Sequence, residues 1–217
     1  MVKQERAART RKALIRAGAE VVARDGLAGT SLTTISARAG VSNGALHFHF
    51  ETKKALAQAI EAEALTTVRQ IVRDAAAPGG GPLEALVAAT YRLMSAIAGD
   101  VVVRAGFELS DDPGRGGGPS IRREWQVWVE QALWRAGQDG WLAEGVSAHD
   151  AASAVVAATV GFEVLGGQDK AWLSEAKVTG LWDLLLPRLT ERHALVRAAA
   201  EAGEAATGSA AADPDTP

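Results

Sequence analysis

The chain of 217 residues is long enough for one large domain or two modest ones, and its apolar and charged fractions, 47% and 23%, are ordinary for a globular protein. The absence of cysteine excludes disulfide frameworks and thiolate metal sites. The formal net charge of −3 conceals a division, because residues 1–60 hold ten basic and four acidic side chains and the remainder holds thirteen and twenty-two. A basic module joined to an acidic one indicates that only the first contacts phosphate.

The N-terminal segment is predicted to be helical, and its charge gives no indication of export. It is charged from Lys3 onward and does not resemble a signal peptide. No apolar run in the chain approaches the ~18 residues that span a bilayer. We therefore expect a cytoplasmic protein with no membrane partner. The first predicted helix, residues 7–25, is amphipathic and ends at Gly26.

Residues 31–54, with the sequence SLTTISARAGVSNGALHFHFETKK, have the pattern of a helix-turn-helix. Ser31 or Thr33 caps a short helix, Gly40 supplies a tight turn, and Ser42 caps a second short helix. A short, capped, polar-faced helix on a small apolar scaffold is what entry into the DNA major groove requires. An ordinary helical hairpin is the alternative, but the caps, the turn and the basic flank all favour the DNA-binding motif.

The second short helix, residues 43–50, is the predicted reading helix. Asn43 reaches either an adenine edge or a phosphate, and the sequence leaves both open. His47 lies one turn later on the same face and reaches phosphate. Small residues at the start of the helix let the backbone approach the bases, and amides at helix N-termini favour an anion. The predicted DNA-contacting residues are Thr33, Ser42, Asn43, Gly44, Ala45, His47, His49 and Lys53.

The rings of this helix have competing interpretations. His47 and His49 lie about 200° apart around a helix, so they do not converge on one metal ion, and no Cys or carboxylate has a suitable spacing. Phe48 and Phe50 are interpreted as core side chains rather than as base-stacking groups. Because one short helix makes few contacts, we expect a dimer that presents two copies ~34 Å or more apart to a palindromic operator.

The rest of the chain is also predicted to be helical, with no alternating strand pattern, so the fold class is all-α. Helices are predicted at 53–76, 83–97, 101–109, 120–138, 149–165 and 171–197. The low polarity of 149–165 predicts burial on more than one side. Pro187 is expected to kink or divide the last helix. Segments rich in Gly and Pro at 78–82 and 111–119 are read as a break and a flexible loop, and residues 203–217 are predicted to be disordered.

All six tryptophans lie in the second part of the chain. Trp125 and Trp128 are about 60° apart around one helix and form an aromatic face, which suits a small, mostly apolar ligand. Plain core filling is the alternative for each ring. Trp134 lies on the opposite side of that helix from Trp125 and is interpreted as a surface or interface residue. The predicted ligand-binding residues are Trp128, Trp125, Phe107, Tyr91, Gln131, Thr159 and Phe162.

Catalysis has little support in the sequence. His149-Asp150 is explained by a helix cap and Asp111-Asp112 by a turn. The GRGGG run at 114–118 does not follow a strand, as a phosphate-binding loop would. The chain has neither a Cys nucleophile nor a GxSxG elbow. We therefore expect no enzymatic activity, no cofactor and no metal site.

The segment TTISARAGVSNGALHFHFETKKAL at 33–56 resembles the DNA-binding domain of TetR-type transcriptional regulators. That family usually has Tyr where this chain has His47, and commonly Lys where it has Asn43, so an imidazole N–H stands in place of a hydroxyl. The GALHFHF variant, the Trp-bearing helix at 120–138 and LWDLLLPRLT at 181–190 resemble the γ-butyrolactone autoregulator receptors of actinomycetes and their antibiotic-binding pseudo-receptor relatives.

This resemblance implies a repressor of secondary-metabolite or signalling genes that releases its operator when a ligand enters the second domain. It implies a Trp in the ligand cavity, a role that Trp125 and Trp128 both fit, with Trp128 slightly favoured. It also implies a homodimer built from helices at about 150–166 and 171–197. The predicted domains are 1–54 for DNA binding, 55–202 for ligand binding and dimerisation, and the tail 203–217. The alternative is a DNA-binding protein whose C-terminal domain, without a ligand, serves only dimerisation or protein docking.

Overall fold

The computed structural model describes residues 2–76, 80–110 and 120–199, and the regular structure in these residues is helical. The helices are α1 (Val2–Asp25), α2 (Leu32–Arg38), α3 (Asn43–His49), α4 (Lys53–Ala75), α5 (Pro82–Gly99), α6 (Val101–Ser110), α7 (Ile121–Gln138), α8 (Ala148–Gly166) and α9 (Glu175–Leu189). A 3₁₀ turn at Lys170–Leu173 precedes α9, and a further helical segment occupies 193–199. The predicted all-α class is confirmed. The predicted loop at 111–119 and tail at 203–217 lie outside the described residues.

The two short helices α2 and α3 begin where the sequence predicts, because a serine caps each of them. Ser31 Oγ accepts a hydrogen bond from the backbone N–H three residues on at 3.0 Å, and Ser42 Oγ does the same at 3.2 Å. Gly40 between them has a φ of 66°, a left-handed conformation that glycine adopts without strain. The cap of α2 is therefore Ser31 rather than Thr33.

Residues 2–68, 99–110 and 120–123 form one compact unit, here called the first unit. Its core includes the buried side chains Leu14, Val21, Ile35, Leu46, Phe50 and Ile60. Full burial of each such side chain contributes about 1.5–3 kcal/mol. Gly18 of α1 permits a close approach of α4, because a Cβ at that position would lie 3.0 Å from Leu56 Cδ2. The packing holds α3 by one face on a rigid scaffold.

The described residues of 69–98 and 124–199 form the second unit. Trp125 and Trp182 are both buried at 2% exposure and fill much of its interior. Trp141 packs on the backbone at Gly81, where a Cβ would lie 2.5 Å from the ring. The guanidinium of Arg192 lies 5.0 Å from the centroid of the same ring. Tryptophan thus serves the packing of this unit in several places, as the core-filling interpretation expects.

The segment 171–197, predicted as a helix with an interruption at Pro187, is divided differently in the structure. Pro187 does not divide it, because α9 runs through Pro187 to Leu189. A proline in the last turn removes only one hydrogen bond near an end that frays in any case. The segment is interrupted at Ser174, which has an extended ψ of 151° between the 3₁₀ turn and α9, and again at 190–192, where α9 has ended two residues after Pro187 and before the helical segment 193–199. Asp169 favours the 3₁₀ turn, since its carboxylate accepts the backbone N–H two residues on at 2.9 Å.

Helix α8 is far more exposed than its low polarity predicts. Only 22% of its apolar 18-residue window is buried inside the chain. By length and composition alone α8 could also cross a membrane, although no such span is predicted from the sequence. It carries Asp150 and Glu163, however, and the latter is buried at 8% exposure. A partner outside the single chain is expected to cover so apolar a face.

Candidate DNA interface and effector site

Helix α3 presents a polar face outward because its apolar residues are held by the core. Leu46 is fully buried in the first unit, whereas Asn43, Gly44 and His47 are exposed. Thr33, Ser42 and Lys53 are exposed as well, and Ala45 and His49 are half-buried. All eight predicted DNA-contacting residues therefore lie in one unit, with most of their side chains accessible to a duplex.

Asn43 is positioned by a contact that the sequence does not reveal. Ser36 is buried at 4% exposure, and its Oγ lies 2.7 Å from Asn43 Oδ1 and 2.9 Å from the carbonyl oxygen of Thr33. The single hydroxyl hydrogen serves one of these acceptors at a time. One edge of the Asn43 amide is thereby anchored to α2, and the other is available to a base or phosphate.

Lys53 has a structural role beside the predicted phosphate contact. Its ammonium donates to the carbonyl oxygen of Thr30 at 2.8 Å and lies 3.4 Å from those of Leu27 and Ala28. It therefore fastens the start of α4 to the loop that joins α1 to α2. The neighbouring Lys54 is exposed.

Phe48 is the functional candidate that the sequence interpretation missed. It is 81% exposed, so its assignment to the core is wrong, whereas Phe50 is buried at 3% exposure as predicted. Leu46 lies on the buried face of α3, and Phe48, two residues later, lies about 200° around the helix from it, whereas Phe50 follows the helix as its extended C-cap residue. This periodicity was the available signal. An exposed ring on a reading helix suits apolar contact with a thymine methyl group.

Ion pairs with acidic side chains neutralise part of the positive charge of the first unit. Glu20 accepts from Arg38 Nε at 2.5 Å and lies 3.5 Å from Arg16 Nε. Arg24 donates through Nε and Nη2 to the two carboxylate oxygens of Asp25 at 2.8 and 2.6 Å. This hydrogen bonding lowers the pKa of Asp25 and raises that of Arg24.

The predicted effector residues are brought together only in part. The indole N–H of Trp125 donates to Thr159 Oγ1 at 2.9 Å, which ties α7 to α8, and the Thr159 hydroxyl lies 2.9 Å from the carbonyl oxygen of Val155. Trp128 is half-buried, with its ring centroid 5.3 Å from that of Trp125 and the planes tilted by 30°. Trp125 is thus closed off, whereas Trp128 remains partly accessible.

The other predicted effector residues lie elsewhere. Tyr91 is hydrogen-bonded to Thr179 at 2.8 Å, and Phe162 packs against Trp172 with a centroid distance of 6.3 Å. Phe107 is buried in the first unit, and Gln131 is exposed. None of these contacts assembles the full predicted set around Trp128.

The pattern of capped short helices with an exposed polar face is shared with known regulators. Residues 14–60 match the family described as bacterial regulatory proteins, tetR family. The A-factor receptor protein of Streptomyces griseus is 30% identical over 193 residues, which cover 87% of this chain and 67% of that protein. The chain belongs to the TetR family.

Several solved structures of related proteins resemble this chain over most of its length. A γ-butyrolactone receptor described as ArpA-like has a TM-score of 0.78 and 28% identity, covering 92% of this chain and 98% of its own. CprB from Streptomyces coelicolor A3(2) has a TM-score of 0.77 and 30% identity with the same coverage, 92% and 98%. CprB in complex with its biological operator sequence has a TM-score of 0.74, with 30% identity over 92% of this chain and 99% of its own. These relatives are regulators and receptors rather than enzymes.

Two buried donors in the second unit of this TetR-family chain have no hydrogen-bond partner among the described residues. They are Trp182 Nε1 and Arg92 Nε. A buried donor left unpaired costs about 1–3 kcal/mol, so such groups are candidates for contact with a bound oxygen atom. Sequence patterning does not identify them, since it does not show whether a buried polar atom is satisfied.

Proposed function

We propose that the chain is a dimeric transcriptional repressor that binds a palindromic operator through α3 and is released by a small hydrophobic molecule. The effector is a γ-butyrolactone-type signal or an antibiotic. The observation that carries the DNA-binding part is α3 itself, capped by Ser42 and exposing Asn43, His47 and Phe48 from a rigid core. Such a protein works at DNA, so the cytoplasm is its proposed location.

Dimerisation is supported by the apolar surface of the second unit. Val164, Leu165 and Leu184 on α8 and α9 are 51%, 39% and 72% exposed. The small residues Ala157 and Gly161 lie on the same side of α8 as Val164 and permit close helix packing. A second copy of α8 and α9 would cover this surface as a four-helix bundle.

Trp128 is the favoured effector contact in the second unit. Its half-buried ring offers an aromatic wall, and the unpaired N–H groups of Trp182 and Arg92 offer donors to a lactone or ketone oxygen. A 2,3-disubstituted γ-butyrolactone has apolar substituents that suit an aromatic wall and a carbonyl group that suits an N–H donor. The similarity to γ-butyrolactone receptors supports the same ligand class.

Release of DNA follows from linkage between the two sites. An effector that binds only the conformation unable to hold the operator weakens DNA binding reciprocally, and a switch from mostly bound to mostly free needs about a 10⁴-fold preference. Helix α4 is the proposed lever, because residues 53–68 belong to the first unit and 69–75 to the second. Within the second unit Arg69 is paired with Glu124, next to Trp125 on α7.

The alternative is a DNA-binding dimer without a ligand. It is favoured by the closed environment of Trp125, whose ring is buried and whose only donor is already satisfied by Thr159. The two proposals differ in whether any small molecule changes the affinity for DNA.

A gel shift on DNA upstream of the chain's own gene tests the proposal. The complex is titrated with 2,3-disubstituted γ-butyrolactones and, separately, with polyketide antibiotics. Release by lactones assigns a signal receptor, and release only by antibiotics assigns a pseudo-receptor. Trp128→Ala should bind DNA and no longer release it, whereas Trp134→Ala should do both. A complex that no compound dissociates favours the ligand-free alternative.

A further inference from the structure

A separate cleft lies in the second unit between α7 and the first turns of α8. It has a volume of about 330 Å³ and is lined by Glu130, Gln131, Trp134, Ala148, His149 and Ala152. The indole of Trp134 is 61% exposed on its wall, in accord with the predicted surface position. An exposed tryptophan forgoes most of the apolar burial that this side chain ordinarily contributes. The ring is therefore available to a bound molecule.

We propose that this cleft binds a small organic cation that has an apolar or aromatic body. The face of Trp134 attracts both an apolar group and a cation. Glu130 supplies the opposite charge, and Gln126 Nε2 donates to its Oε1 at 2.8 Å, which fixes the carboxylate. The small side chains of Ala148 and Ala152 leave space for the body of the ligand between the two helices.

The charges around the cleft favour a cation over an anion. The N-terminus of α8 contributes roughly half a positive charge, and the imidazole of His149 also faces the cleft. Asp150, in the first turn of α8 but outside the lining, offsets the charge of that helix N-terminus, and Glu130 in the lining adds a full negative charge. Residues 61–217 as a whole hold twenty-two acidic and thirteen basic side chains.

The cleft is distinct from both surfaces in the proposed function. Trp134 is nine residues from Trp125, about 180° around α7, so it faces away from the Trp125 and Trp128 pair. Ala152 and His149 precede Val164 by twelve and fifteen residues, about 18 and 22 Å along α8, so the cleft lies at the opposite end of that helix from Val164. This position therefore favours a second ligand whose chemistry differs from that of the proposed effector.

Fluorine NMR of the full chain labelled with 5-fluorotryptophan tests the cleft directly. Trp134→Phe assigns the Trp134 resonance by removing it. The probe is 4-phenylbutylammonium, and 4-phenylbutanol is its neutral isostere. The Trp134 resonance should shift saturably with the ammonium compound, and the alcohol should bind about threefold to fivefold more weakly. Glu130→Gln should abolish this preference, whereas Glu175→Gln, which removes an exposed charge away from the cleft, should retain it.

Several results would overturn the proposal. One is a Trp134 resonance that does not shift up to about 10 mM probe, ten times the dissociation constant of a weak 1 mM site. Saturation confined to the Trp125 or Trp128 resonance, or equal affinity for the alcohol, would do the same. Sedimentation equilibrium of Trp134→Ala adds a further check, because conversion of a dimer to a monomer would assign the cleft to a second copy of the chain.

Discussion

The side chains of α3 divide cleanly into those that hold the helix and those that face outward. Phe48 and Phe50 are two residues apart, yet their exposures are 81% and 3%. Phe50 is packed in the core of the first unit, with the guanidinium of Arg11 5.3 Å from its ring centroid. The two phenylalanines therefore form a matched pair for separating recognition from stability.

We expect Phe48→Ala to leave the free energy of unfolding nearly unchanged and to weaken operator binding, with the loss concentrated at a thymine. Phe50→Ala should instead destabilise the protein by about 3–5 kcal/mol, because it empties a core position. Urea denaturation and binding to operators with single T·A substitutions measure both effects. Equal binding by Phe48→Ala to every operator variant would contradict the proposed methyl contact.

Ser36 and Asn43 form the second testable arrangement at this scale. Ser36→Ala removes the hydroxyl that anchors the Asn43 amide, so we expect weaker operator binding and a relaxed base preference near Asn43. Asn43→Ala should have a similar effect, and the double variant should lose little more than either single one. Selection of bound sequences from a random pool measures the preference. Additive losses would show that the Ser36 contact does not act through Asn43.

At the scale of elements, the features that depend on nearby residues were predictable from the sequence, whereas the contacts between distant residues were not. The caps Ser31 and Ser42 and the turn at Gly40 follow from sequence because each acts within a few residues. The pairing of Trp125 with Thr159 spans 34 residues, so no local pattern contains it. The helix ends two residues after Pro187 rather than at it, because a proline in the last turn removes only one hydrogen bond. The same limit leaves the effector site only partly predictable from sequence.

The start of α4 combines a predicted phosphate contact with an observed structural one. Lys53→Ala should lower the thermal midpoint, because three carbonyl groups at 27–30 lose their cationic partner. If Lys53 also contacts phosphate, the slope of log affinity against log salt should flatten by about one. Lys54→Ala is the control for removal of a neighbouring charge. A lower midpoint with an unchanged slope would leave Lys53 a purely structural role.

At the scale of the whole molecule, the proposed dimer covers the exposed face of α8 and α9 with a second copy. We expect Leu184→Glu, combined with Val164→Glu, to shift the mass measured by sedimentation equilibrium from dimer to monomer. The monomer should lose affinity for a palindromic operator, because a single α3 makes few contacts. Phe48→Ala, whose change is confined to the reading helix, should remain dimeric. A monomeric wild-type chain that still binds a palindrome tightly would contradict the proposed assembly.

A complete thermodynamic cycle measures the proposed linkage between operator binding and effector binding. The operator dissociation constant is measured by fluorescence anisotropy with and without the γ-butyrolactone that releases the complex. The lactone dissociation constant is measured by calorimetry with and without operator. We expect both ratios to be equal and to approach 10⁴, and Trp128→Ala to bring both to one. Lactone binding that is indifferent to operator would contradict the proposed linkage.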